Sequence, residues 1–166
     1  GLVAPGGRHA AVVHHSRYSE LKDKVTVRLY GPENKRPVLF PMGGSGDEFL
    51  IVWSAEPGRY LGWIEVDGRG GLLKVVDRRR ARLVLSRPAP LEEWPIFAPR
   101  AARVMVPLPG AGDEPLAGVT RAVEIVDLTS RSGQVVLRTA AGEELVNLRW
   151  LGPGQVGATR RPLGAA

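Results

Sequence analysis

The stretch Y-L-G-W-I-E-V-D-G-R-G-G-L-L-K-V-V at positions 60–76 decides the fold. Two runs rich in β-branched, aromatic and aliphatic residues, 60–66 and 72–76, flank a D-G-R-G-G cluster whose glycines supply positive φ for a turn. That pattern describes an antiparallel pair of strands, and it extends in both directions. V-T-V-R-L at 25–29, P-V-L-F at 37–40 and E-F-L-I-V-W at 48–53 come before it, separated by the turn clusters G-P-E-N, G-G-S-G-D and E-P-G. A-R-L-V-L at 81–85 follows and closes the unit. Short strands at roughly ten-residue spacing describe a small barrel or half a sandwich.

Beyond this unit, S-R-P-A-P-L-E-E-W-P-I-F-A-P interposes four prolines in fourteen residues. Proline donates no backbone hydrogen bond, so the stretch reads as a connector between two β units. The second unit carries R-V-M-V-P-L at 103–108, V-T-R-A-V-E-I-V-D-L at 119–128, Q-V-V-L-R at 134–138 and L-V-N-L-R-W at 145–150. No long helix is indicated. The expectation is an all-β chain of one or two small barrel or sandwich units. It comprises a flexible arm over 1–20, a first unit over 21–86, a connector over 87–99, a second unit over 100–150 and a flexible tail over 151–166.

Composition narrows the function. A chain of 166 residues, 43% of them hydrophobic, can bury a core. Cysteine is absent, which removes disulfides, thiol nucleophiles and cysteine-ligated metals together. No run is long enough to span a bilayer. The opening G-L-V-A-P-G-G lacks the charged-then-apolar order of a signal peptide, so a cytoplasmic location is expected.

Lys+Arg 23 against Asp+Glu 17 gives a formal charge of +6, and lysine occurs only at Lys22, Lys24, Lys35 and Lys74. Arginine presents a planar donor fork that matches phosphate or carboxylate, so the bias suits anionic partners, although a genome-wide preference for arginine produces it too. The arginines concentrate in V-D-R-R-R-A-R-L-V-L-S-R at 76–87. In an extended strand Arg78, Arg80 and Arg82 share one face and form a comb for phosphates. The alternative is a solvated face paired with Glu65 or Asp67.

A second arginine pair, Arg100 and Arg103 in A-P-R-A-A-R-V-M-V-P-L, introduces a strand, and the next strand ends in the turn D-L-T-S-R-S-G at 127–133. This combination of an arginine pair and a later Asp/Ser/Gly turn resembles PilZ domains, and the β unit ahead of it resembles the YcgR-type arrangement. The arginines stand three apart where the family has four, and the turn holds one residue more than the family's between Asp127 and Gly133. The resemblance implies a cyclic di-GMP receptor. Arg100 and Arg103 would clasp guanine edges and phosphates, with Asp127, Thr129, Ser130 and Gly133 holding a second guanine face. Without a ligand, D-L-T-S-R-S-G is also what a plain β-turn looks like, because Asp, Ser and Thr cap nearby backbone amides.

Support for catalysis is poor. His9, His14 and His15 lie in the expected arm, away from the ordered acids and serines, and adjacent histidines on an extended arm point apart, which is poor metal geometry. The stretch M-G-G-S-G-D at 42–47 lacks the lysine and helix of a phosphate loop. G-P-E-N-K-R-P-V-L-F is similar to the strand entry of MazF-type ribonucleases, but nothing downstream repeats that likeness. Trp63 beside Arg59 and Trp150 beside Arg149 have the composition of a base-stacking platform, while the apolar strands around Trp53 and Trp63 assign those rings to the core. The expectation is therefore a non-enzymatic binding module without a cofactor, for a cyclic dinucleotide or, with degraded motifs, for a protein partner. A nucleic-acid-binding barrel using the arginine strand is the second class, and a structural or assembly component, such as a capsid or secretion protein, is the third.

Overall fold

The computed structural model describes residues 2–16, 24–42, 50–56, 58–67, 70–89, 96–109 and 119–164. Every regular element among them is a β-strand, and within each sheet every strand pairs antiparallel with its neighbours in chain order. The first sheet contains β1 (Leu2–Val3), β2 (Ala10–Ser16), β3 (Lys24–Tyr30) and β4 (Val38–Met42). The second contains β5 (Leu50–Trp53), β6 (Tyr60–Asp67), β7 (Gly70–Asp77) and β8 (Arg82–Ala89). The third contains β9 (Ile96–Phe97), β10 (Arg103–Leu108), β11 (Ala122–Asp127) and β12 (Gly133–Arg138). β13 (Glu143–Gly152) and β14 (Gln155–Pro162) make a two-stranded fourth sheet.

Period-two alternation explains how these sheets stack. On β6 and β7, Leu61, Trp63 and Val76 face the first sheet and pack with Val27, Leu29 and Phe40. The opposite face of the same strands carries Tyr60, Ile64, Leu73 and Val75, which pack with Val104, Val106, Val126 and Leu128 of the third sheet. Met105 and Val123, on the far side of β10 and β11, meet Leu145, Trp150 and Val156 of the fourth. The four sheets thus lie face to face in chain order. The apolar strands at 60–66 and 72–76, which announced the fold in sequence, form the layer buried on both sides.

Three expected boundaries change. The arm over 1–20 contributes β1 and β2 to the first sheet, where Ala11 and Val13 face the core and the Trp53 indole donates to the Leu2 carbonyl at 3.1 Å. The tail over 151–166 contributes β14, whose Val156 and Ala158 cover the third sheet. The connector over 87–99 is shorter than expected, because β8 runs through Pro88 to Ala89 and β9 pairs with β10; positions 90–95 lie outside the described residues. Proline is accommodated at Pro88 because β8 is an edge strand, needing no donor on its outer side. The layers share cores, so they are not two units on a linker. The described residues include no helix long and apolar enough to cross a membrane.

Leu61 and Leu73 are 0% and 1% exposed and lie on opposite faces of the second sheet. Leu61→Ala and Leu73→Ala should each cost about 2–5 kcal/mol. In a melt followed by circular dichroism and tryptophan fluorescence, both variants should shift one common transition. Two separated transitions would mean that the layers fold independently.

Candidate functional site

The turn between β11 and β12 is built by Asp127. Its Oδ1 accepts from the backbone N–H of Thr129 at 2.9 Å and of Ser130 at 3.0 Å, while Arg131 N–H donates to the Asp127 carbonyl at 2.8 Å. Arg131 takes φ 60, the left-handed conformation that lets the chain reverse. These amide donors, with Arg103 nearby, hold the Asp127 carboxyl below the usual carboxylate range. Arg103 lies directly across the ladder, its Nε 3.7 Å from Asp127 Oδ2. Its Nη1 donates to the Pro153 carbonyl at 3.0 Å, so the β13–β14 turn leans on the same guanidinium.

Beside this pair opens a cleft of about 530 Å³. Arg103, Asp127, Ser132 and Gln134 give it polar walls, Ile125 and Val136 give it apolar ones, and Gly133 and Gly154 complete the lining. Of the residues expected to bind ligand, Arg103, Asp127 and Gly133 line this cleft. Ser130 is engaged with Ser132, the two hydroxyls lying 2.7 Å apart. Thr129 faces the phenol of Tyr60 in the second sheet. Arg100 is exposed in the turn ahead of β10 and is not part of the lining. Ser132 was visible as part of the turn, but Gln134 and Gly154 were not singled out. Alternation past Gly133 and the G-P-G turn at 152–154 were the available signals for them.

Gly133 has a packing reason of its own. A Cβ there would fall 1.8 Å from Glu124 Oε1, and Glu124 reaches across the layer boundary to Arg87 Nη2 at 3.7 Å. The glycine makes room for an ion pair between the second and third sheets.

The arginine comb does not form. Positions 78–81 make the β7–β8 turn, not a strand, because Asp77 Oδ1 accepts from the N–H of Arg79 at 3.0 Å and Arg80 at 3.4 Å and Ala81 takes φ 51. Arg78 turns inward, 2% exposed, and its guanidinium donates to the Gly58 carbonyl and to Glu33. Arg80 and Arg82 are exposed, with Arg80 Nε 4.0 Å from Asp77 Oδ2. The acids that meet this cluster are Glu33, Glu56 and Asp77, whereas Glu65 pairs with Lys74 at 3.0 Å. The Asp67 side chain lies outside the described residues.

His9 joins the same cluster instead of lying in a loose arm. Its Nε2 is 3.0 Å from Glu33 Oε1, and its ring is clamped against Gly58, where a Cβ would fall 2.1 Å from the His9 Cγ. A backbone amide, His9 and Arg78 hold the Glu33 carboxyl down at about 2. Among the described residues, no group of three His, Asp or Glu side chains is placed to hold a metal. Trp53 and Trp63 are buried, as their apolar strands indicated, and Trp63 Nε1 donates to Glu65 Oε1 at 3.0 Å. Trp94 lies outside the described residues.

Two substitutions test these local arguments. Gly133→Ala should cost about 1 kcal/mol by displacing Glu124 from Arg87, and should become nearly neutral in a Glu124→Ala background. An equal cost in both backgrounds would place the strain elsewhere. For Glu33, the unfolded chain takes up its proton near pH 4.5 and the folded chain only near pH 2. The stability it contributes is therefore complete above pH 4.5 and is lost as pH falls toward 2. Glu33→Gln should lower Tm by a few degrees at pH 7, and the gap to wild type should shrink across that window. A gap independent of pH would mean that the charge of Glu33 is immaterial.

No protein-family model, no curated protein and no solved structure matches this chain.

Proposed function

We propose that the protein is a non-enzymatic binding module whose cleft beside Arg103 and Asp127 takes a small anionic ligand with guanine-like edges, cyclic di-GMP being the first candidate. The observation that carries this reading is the placement of Arg103, Asp127 and Gly133 around one cleft of about 530 Å³, a volume in the range of small-molecule sites. Arg103 and Asp127 set a donor fork beside a carboxylate. Guanine presents the complementary groups on adjacent edges, with O6 and N7 as acceptors on one and O6 beside the ring and amino N–H donors on the other. A phosphate draws further on the guanidinium. Ile125 and Val136 supply apolar surface for the ring faces. The nucleic-acid reading was built on a single-face arginine strand, and with Arg78 buried beneath the β7–β8 turn that support is gone.

Calorimetric titration with cyclic di-GMP, with GMP as a control, tests the proposal. Micromolar binding is expected, weakened tenfold or more by Arg103→Ala and by Asp127→Asn. Asparagine keeps a side-chain oxygen for the Thr129 and Ser130 amides, so Asp127→Asn should lose binding while Tm stays within a few degrees of wild type. No heat with either nucleotide would remove the dinucleotide reading.

A further inference from the structure

The first sheet is the end layer of the stack, and its outer face is unusual. The register places three cross-strand rows on that face: Val3, Ala10 and Tyr30; Val12, Arg28 and Leu39; His14, Thr26 and Pro41. An antiparallel sheet that gives one face to water normally alternates apolar inward with polar outward. Here the outer face is mostly apolar too, with Arg28, His14 and Thr26 as its polar members. The inner face holds Val27, Leu29 and Phe40, and the outer face exposes Val3 at 63%, Leu39 at 57%, Tyr30 at 40% and Val12 at 37%. These four are among only nine large hydrophobic residues exposed in the described chain, and apolar side chains gathered in this way mark an interaction surface.

Arg28 sits in the centre of this surface, on the middle strand of the three longer ones, between Val12 and Leu39. It is half-buried, and its Nε is shielded from solvent without a hydrogen-bond partner. Arg59, whose Nε is likewise without a hydrogen bond, still meets Asp77 at 3.5 Å, and Arg78 meets Glu33, whereas Arg28 forms no ion pair among the described residues. A guanidinium on an apolar face without an acid beside it is left uncompensated when that face is covered, and a carboxylate is the group that matches it best.

We propose that this face docks a partner protein through an apolar surface carrying one carboxylate set against Arg28. A second copy of the same face is a poor occupant, since a twofold axis at the central row would bring Arg28 against Arg28. The surface lies on the first sheet, separate from the cleft on the third, so it stands or falls without the nucleotide reading.

The probe is a synthetic amphipathic helical peptide of roughly 18 residues, long enough to hold a helix, with a Leu/Ala face and one central Glu. Versions with Gln and with Lys at that position are compared with it by fluorescence anisotropy. The Glu probe should bind wild type at least tenfold more tightly than the Gln or Lys probes. Arg28→Glu should reverse the order of the Glu and Lys probes, and Leu39→Ser should weaken all three. Absence of binding, or equal binding of all three probes, overturns the proposal. Sedimentation showing wild-type self-association that Leu39→Ser abolishes would assign the face to a second copy instead. Co-pelleting with phosphatidylcholine and phosphatidylserine vesicles that Leu39→Ser abolishes would assign it to a lipid surface.

Discussion

A four-stranded antiparallel sheet commonly gives one face to a core and the other to water, but β6 and β7 have apolar side chains on both. Leu61, Trp63 and Val76 point one way, and Tyr60, Ile64, Leu73 and Val75 point the other. Each fully buried side chain of this kind is worth about 1.5–3 kcal/mol relative to exposure, so neither face can be left uncovered. That constraint requires a sheet on each side of the second. The third sheet meets the same problem through Met105 and Val123, and the β13–β14 hairpin resolves it. Chain order and spatial order therefore coincide, since each sheet buries the face that the preceding one leaves open.

Polar contacts then fix how the layers sit. Arg78 is buried at the end of β7, with Glu33 from the first sheet's β3–β4 turn on one side and the Gly58 carbonyl on the other. Glu124 and Arg87 tie the third sheet to the second, and the Tyr60 phenol reaches Thr129 in the turn beside the cleft. Breaking a buried charge pair by removing one partner leaves the other charge uncompensated, which costs more than the pair contributed. The arginine bias of the chain is partly explained by this use, because Arg78 and Arg87 meet acids across layer boundaries.

Strand existence was legible in sequence wherever β-branched residues alternated, and turn chemistry was legible at D-L-T-S-R-S-G, whereas positions 68 and 69 of D-G-R-G-G lie outside the described residues. Besides the two-residue β1 and β9, two strands were missed for one physical reason. A-A-V-V-H-H-S at 10–16 and Q-V-G-A-T-R-R-P at 155–162 are short of large apolar residues, because each covers an existing core with small ones, Ala11 and Ala158 among them. The arginine run failed differently. Alternation assumes an extended chain, and Asp77, by accepting from the Arg79 and Arg80 amides, converts the run into a turn that sends its arginines in different directions. The same aspartate chemistry at 127–130 was read correctly as a turn, since there serine, threonine and glycine supported it. At the cleft, Arg103 and Asp127 were legible because they flank a turn, whereas Gln134 and Gly154 depend on the β12 register and on a hairpin read as a tail.

Arg103 joins the cleft to the rest of the stack. Its guanidinium is shared between Asp127 on β11 and the Pro153 carbonyl of the β13–β14 turn, so the fourth sheet is latched to the third by the same group that faces the open volume. An anion entering the cleft competes with Asp127 for that fork, and a guanine edge satisfies both partners at once, since it offers acceptors to the arginine and donors to the carboxylate. A lone phosphate satisfies only the arginine and leaves two anions facing each other. The pairing therefore favours a ligand that carries donors and acceptors side by side over a simple anion, which is a matter of pair chemistry and not of net charge.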